Sequence, residues 1–194
     1  MALDLRPAER ADAADLARLI DLAGEGLPRY LWSGIAEPGE DPLAVGMRRA
    51  LRDEAGFSWR NAVIAEAGGA VAGLTIAYRI GAAPEPLDAL PPMFRPLQDL
   101  ENLAPGSQYV NVLATYPAFR RRGVARRLLA AAEAMGAGAA GMSIIVADRN
   151  EPALALYRAS GYAEHARRAM VKEGWVCDSD AWVLLTKPPS GGMA

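Results

Sequence analysis

The stretch from Tyr109 to Met135 constrains this chain more than any other. Tyr109–Thr115 is an apolar run of strand length that stops before Pro117. Three consecutive arginines follow, and Gly123 then opens a helix. Its apolar positions Val124, Leu128, Leu129, Ala132 and Met135 share one face. A strand that feeds a helix through a short turn commits the chain to a layered α/β fold.

The rest of the chain extends that pattern. Leu3–Arg6 is a short strand, and Asp12 is placed to cap a helix through Leu16, Leu19, Ile20 and Ala23. Gly24–Gly39 reads as irregular, with Tyr30 and Trp32 inside it. Asp41-Pro42 starts a second helix. Ala62–Ala67 and Val71–Arg79 flank Gly68-Gly69, a hairpin turn signal. Six prolines between Pro84 and Pro105 exclude a central strand there, and Phe94, Leu97 and Leu100 hint at one or two helical turns. Met142–Ala147 is a strand, Ala153–Ala159 a helix that stops at Gly161, and Tyr162–Val171 and Ala181–Thr186 are late strands. One domain over 1–187 is expected, with an insert near 84–105 and a frayed tail at 188–194.

Composition narrows the function classes. The 194 residues carry a formal net charge of −2, so no broad basic face for nucleic acid is expected. All but two of the 21 basic residues are arginine, and five cluster at Arg120, Arg121, Arg122, Arg126 and Arg127. No run of 18 apolar residues suggests a membrane span, and the first residues lack an apolar signal core. Cys177 is the sole cysteine, which fits a reducing cytoplasm. His165 is the sole histidine, so no metal site is expected.

Gly123 and Ala125 are small enough to let a ligand approach the backbone closely. The first turn of the helix has free N–H groups and a positive dipole end, and together these make an anion site. The plain alternative is a capped helix with a solvated arginine face. Gly136-x-Gly138-x-x-Gly141 matches a dinucleotide fingerprint literally, but it follows a helix and precedes a strand, the reverse of the order that fingerprint needs. It reads as a helix stop and loop.

Arg120-x-x-Gly123-x-Ala125 after a strand resembles the pyrophosphate loop of the GNAT superfamily of acyl-CoA N-acyltransferases. Asn150-x-x-Ala153-x-x-Leu156-Tyr157-x-x-x-Gly161-Tyr162 is similar to a second block of that family, at the family's spacing. The resemblance covers about Tyr109–Glu164 and, more softly, Leu3–Ile20. It implies a mostly antiparallel sheet of six to seven strands flanked by about four helices. It also implies acetyl-CoA as cosubstrate, without a metal, and a small-molecule or peptide amine as acceptor.

Residue by residue, the resemblance implies that backbone groups of Leu113, Ala114 and Thr115 pair with the pantetheine arm. The amides across Arg120, Arg121, Arg122, Gly123, Val124 and Ala125 would hold the pyrophosphate. Asn150 would contact the cofactor arm, or act as a plain helix N-cap. Tyr157 would stand beside the thioester sulfur as general acid, or else be core packing. A leaving thiolate gains from a donor, which a phenol can supply.

The family's usual carboxylate base is missing. Ser143–Asp148 is apolar where it would fall, and Tyr109–Thr115 contains no acid. Asp148, Glu101, Glu66, a water chain and an acceptor of low pKa stay open, and Asp148 is equally a loop carboxylate paired with Arg149. In this fold the insert borders the acyl-reactive end of the strand, so Pro84–Pro105 is expected in the acceptor pocket, with a surface loop packed on the sheet edge as the plain alternative. Two functions result: an N-acetyltransferase, or a non-catalytic acyl-CoA-binding or sensing module on the same fold. An exposed late strand could pair across a homodimer.

Overall fold

A computed structural model describes residues 2–54 and 56–189. In chain order the elements are β1 (Leu3–Pro7), α1 (Ala13–Ala23), α2 (Leu27–Ser33), α3 (Pro42–Ala50), β2 (Ala62–Ala67), β3 (Ala70–Arg79), α4 (Arg95–Glu101), β4 (Gln108–Thr115), α5 (Val124–Met135), β5 (Met142–Ala147), α6 (Glu151–Ala159), β6 (Ala163–Ala169) and β7 (Ala181–Lys187). Most of the expected frayed tail, residues 190–194, lies outside the described residues. The seven strands follow the order β1-β2-β3-β4-β5-β7-β6 in a mixed, mostly antiparallel sheet. The β4–β5 ladder is parallel and spans three residue pairs, Gln108↔Met142 to Val110↔Ile144. Contacts divide the chain into two compact units: 2–78 with 111–135, and 79–110 with 136–189.

In the first unit, β2 and β3 turn through Gly68 and Gly69, both with φ above +60°, the conformation a tight two-residue hairpin requires. Alternation then sorts the two faces. Ala62, Ile64, Leu74, Ile76, Val112 and Ala114 pack with α1 and α3 residues such as Leu16, Leu19 and Val45. Ala65, Ala67 and Ala72 pack with Val124 and Leu128 of α5. The β2–β3 register skips Ala72, a bulge that changes which face β3 presents from that point on.

Two expectations are corrected in this unit. Gly24–Gly39 is not irregular throughout, since it contains α2. Gly26 turns the chain at φ +82°, Pro28 sits in the first helical turn, and Trp32 is buried. Gly46 makes room for that indole, because a Cβ there would stand 2.4 Å from the Trp32 ring. A helix of about two turns anchored by one aromatic leaves no periodic stripe in the sequence. The second correction concerns Asp12, whose side chain does not cap α1. It accepts from Arg6 Nη1 at 2.7 Å and Nη2 at 2.8 Å, and from the Glu9 amide at 2.7 Å, while Arg6 Nε donates to Glu66 at 2.8 Å.

The Arg6 guanidinium holds the buried Asp12 carboxyl below the usual carboxylate range. Its stabilisation is therefore complete above the unfolded value of ~3.9 and is lost as pH falls through the lower folded value. Asp12→Asn should cost about 2 kcal/mol at neutral pH by denaturant titration. The gap to wild type should close only in acid, and a gap unchanged down to about pH 2 would contradict the pairing.

In the second unit, Ile144, Val146, Val183, Leu184 and Leu185 of β5 and β7 are buried. The insert is folded: α4 packs against β6 and β7, Leu100 is fully buried, and Arg168 Nε of β6 donates to Asp99 at 2.5 Å. Asp99 is therefore already paired within the fold. β6 forms the sheet edge, with a register bulge at His165. Gly136–Gly141 joins α5 to β5, as its order in the sequence requires.

Candidate active site

In the first unit, β4 runs directly into the arginine loop. β3 comes unusually close to it, since a Cβ on Gly73 would lie 2.4 Å from the Ala114 carbonyl oxygen. The buried Thr75 hydroxyl donates to the Val112 carbonyl at 2.9 Å, and the Tyr116 amide donates to Ala72 O at 2.9 Å. The Tyr116 hydroxyl donates to Asp15 at 2.6 Å, and burial together with that carboxylate raises its pKa. These contacts tie Val112–Tyr116 to β3 and α1. Sequence reading missed all of them. The one available signal was Gly73 inside an apolar strand, which often marks close backbone approach.

The loop itself is strained in the manner of a ligand cradle. Arg121 has φ +61° and Gly123 φ +81°, whereas Arg120 is extended. A left-handed arginine is uncommon and is stored strain. Gly123 O accepts from the Arg127 amide at 3.1 Å, so Gly123 caps α5. By helix geometry the amides of Val124, Ala125 and Arg126 have no acceptor within the helix. Arg120, Arg121 and Arg122 are exposed, with Arg122 5.9 Å from the Phe119 ring centroid. Arg127 belongs to the fold: its guanidinium donates to Leu3 O at 2.6 Å.

In the second unit, Asn150 Oδ1 accepts from the Ala153 amide at 3.3 Å and caps α6. Tyr157, one face of that helix, is buried, with its ring 6.1 Å from Tyr162 at 55°. Burial raises the phenol pKa, so the hydroxyl stays protonated across the physiological range. Leu113, Ala114, Thr115 and Arg120–Ala125 thus gather in one unit, and Asn150 and Tyr157 share one helix in the other.

The open list of bases shortens. Glu66 is held by Arg6. Asp148 is not paired with Arg149, which bonds Asp180 at 2.8 Å. Instead Asp148 Oδ1 accepts the Asp180 amide at 3.1 Å. Glu101 carries a carboxyl raised to about 7 by burial, with the Tyr109 hydroxyl lowering it in part. Nothing in the sequence around Glu101 signals that, because the cause is tertiary burial. Cys177 is partly buried, its Sγ 3.7 Å from the Met170 sulfur, and His165 is exposed on the edge strand.

Residues 30–162 match the model of the Acetyltransferase (GNAT) family, and the chain belongs to that family. The fold agrees. A solved acetyltransferase structure matches with a TM-score of 0.65 at 15% identity, covering 96% of this chain and 99% of its own. An N-acetyltransferase from Staphylococcus aureus Mu50 matches with a TM-score of 0.63 at 20% identity, covering 94% and 99%. The PaiA N-acetyltransferase from Thermoplasma acidophilum, solved in complex with coenzyme A, matches with a TM-score of 0.56 at 13% identity, covering 97% and 99%. No curated protein matches the chain. Membership of the family makes acyl transfer the general chemistry. No helix among the described residues is long and apolar enough to cross a membrane.

The residues present fit a phosphate-bearing, polar-armed ligand of the coenzyme A kind. Thr115 Oγ1 is buried with no hydrogen-bond partner among the described residues, an unfilled polar position at the end of β4. The space beyond Gly123 is open, with nothing within 4 Å of where a Cβ would stand. A backbone that aims amides at an open space, flanked by cations, suits a pyrophosphate.

Proposed function

We propose that this chain transfers an acetyl group from acetyl-CoA to a primary amine of a small molecule or peptide, by direct attack within a ternary complex. The left-handed Arg121 and Gly123 at the start of α5 support this reading most. They open the first-turn amides of the helix toward a bound anion. Exposed Arg120, Arg121 and Arg122 add charge there.

In this scheme acetyl-CoA supplies the activated acyl group, and the chain binds, orients and moves protons. Arg120–Ala125 hold the pyrophosphate. Backbone groups of Leu113, Ala114 and Thr115 hold the pantetheine arm in strand fashion. Asn150, besides capping α6, contacts the cofactor arm. Tyr157 donates its hydroxyl proton to the departing sulfur. Proximity of amine and thioester supplies much of the rate.

The insert gives the acceptor site a wall, with Glu85 and Asp88 for a cationic amine once Asp99 is committed to Arg168. Because α4 is packed through the buried Leu100, its surface is better probed by point changes than by excision. A reducing cytoplasm suits the lone Cys177. A homodimer through the β6 edge would have to accommodate the His165 bulge and the charged Glu164 and Arg167, features that discourage edge pairing. Native mass spectrometry of the purified chain tests the ligand class. A coenzyme A adduct is expected on addition of micromolar acetyl-CoA, and none at millimolar concentration would contradict the proposal.

A further inference from the structure

The loop assigned to the pyrophosphate is both exposed and strained. Arg120, Arg121 and Arg122 face solvent, and Arg121 stands at φ +61°. A non-glycine residue in that region persists only where the surrounding structure over-determines it. The C-terminal end of the loop is pinned. Gly123 O accepts the Arg127 amide at 3.1 Å, and the Arg127 guanidinium donates to Leu3 O at 2.6 Å. At the N-terminal end the pin is Tyr116, which stands between β4 and the turn Pro117–Phe119. Its hydroxyl donates to Asp15 of α1 at 2.6 Å. We propose that Asp15 and Tyr116 are a positioning pair that holds this loop in its anion-binding shape and so sets affinity for the pyrophosphate end of the cosubstrate. The proposal rests on the acyl-CoA reading above.

Both residues lie in the same compact unit as the loop. Tyr116 is tied there at three points. Its amide donates to Ala72 O of β3 at 2.9 Å, and its carbonyl accepts the Phe119 amide at 2.9 Å. Its hydroxyl makes the third tie, to Asp15, while the ring packs against the cluster that includes Leu16 and Leu19 of α1. From Tyr116 onward the turn closes on itself. Pro117 O accepts the Arg120 amide at 3.3 Å, and Arg120 Nε donates back to Thr115 O at 3.4 Å. Residues 115–120 therefore move as a unit, and the bond to α1 sets how that unit is turned on the sheet. A short hydroxyl-to-carboxylate bond is charge-assisted and among the stronger kinds. Neither side chain touches the ligand in this account. Both act through the backbone that leads into Arg121 and Gly123.

Calorimetry with coenzyme A on the folded variants is the test. Tyr116→Phe keeps the ring and deletes the bond, and Asp15→Ala deletes the acceptor. Each should weaken binding by ~10-fold, the worth of one hydrogen bond to a charged group. The double variant should lose the same ~10-fold, because the two residues act as one unit. Asp15→Asn keeps an acceptor oxygen and should stay within about threefold of wild type. A bond that served stability alone would lower the melting temperature and leave the affinity of the folded protein where it was. In turnover, Tyr116→Phe should raise KM for acetyl-CoA and leave kcat within about threefold, the mark of lost ground-state binding. S-acetylpantetheine carries no phosphate, so its kcat/KM should not change. Coenzyme A affinity within about twofold of wild type in both Tyr116→Phe and Asp15→Ala would overturn the proposal, as would an equal loss with S-acetylpantetheine. A wild type that binds no coenzyme A would instead overturn the cofactor reading itself.

Discussion

Gly123→Glu is expected to weaken coenzyme A binding by about 10²-fold or more, a loss of ~3 kcal/mol or above. Two effects combine at this position. The backbone stands at φ +81°, where a side chain costs roughly 1–2 kcal/mol of strain. The new carboxylate then extends toward the space assigned to the pyrophosphate, where like charges repel. The fold should survive, since nothing lies within 4 Å of the introduced Cβ. Gly123→Ala separates the two effects, because it adds the strain without the charge and should bind much more tightly than the glutamate variant. Calorimetry with coenzyme A on the folded variants measures both. Equal affinity in wild type and Gly123→Glu would remove the pyrophosphate from this loop.

Tyr157→Phe should lower kcat by ~10²–10⁴-fold while coenzyme A affinity changes little. Only a hydroxyl is deleted, and the ring keeps its packing against Tyr162. Burial keeps the wild-type phenol protonated, so it can serve as donor at every pH at which the enzyme works. Loss of kcat without loss of binding is the mark of an interaction made in the transition state. A kcat within about threefold of wild type would show that sulfur departs without this acid.

What could be read from the sequence was what is local. The strand-to-helix turn at Thr115–Val124, the capped start at Asn150 and the Gly68-Gly69 hairpin each depend on residues a few positions apart. The structure reproduces them closely. α2 was missed because its stability comes from one indole seated against a glycine in another helix. The Asp12 side chain does not cap α1 because Arg6 of β1 and the Glu9 amide before the helix occupy its oxygens. Glu101 stood among four open bases, since its raised pKa comes from burial by elements not adjacent in the chain. Gly73 gave a signal, an isolated glycine in an apolar strand, without showing that its neighbour would be the Ala114 carbonyl.

The central claim is amine-dependent acyl transfer, and the most direct measurement follows free thiol release from acetyl-CoA across a panel of primary amines, with mass detection of the product. Thiol release that requires an amine, matched mole for mole by an N-acetylated product and lost in Tyr157→Phe, is the expected result. Tight binding of acetyl-CoA with no amine-dependent thiol release across the panel would contradict it, and would favour a binding or sensing module on the same fold.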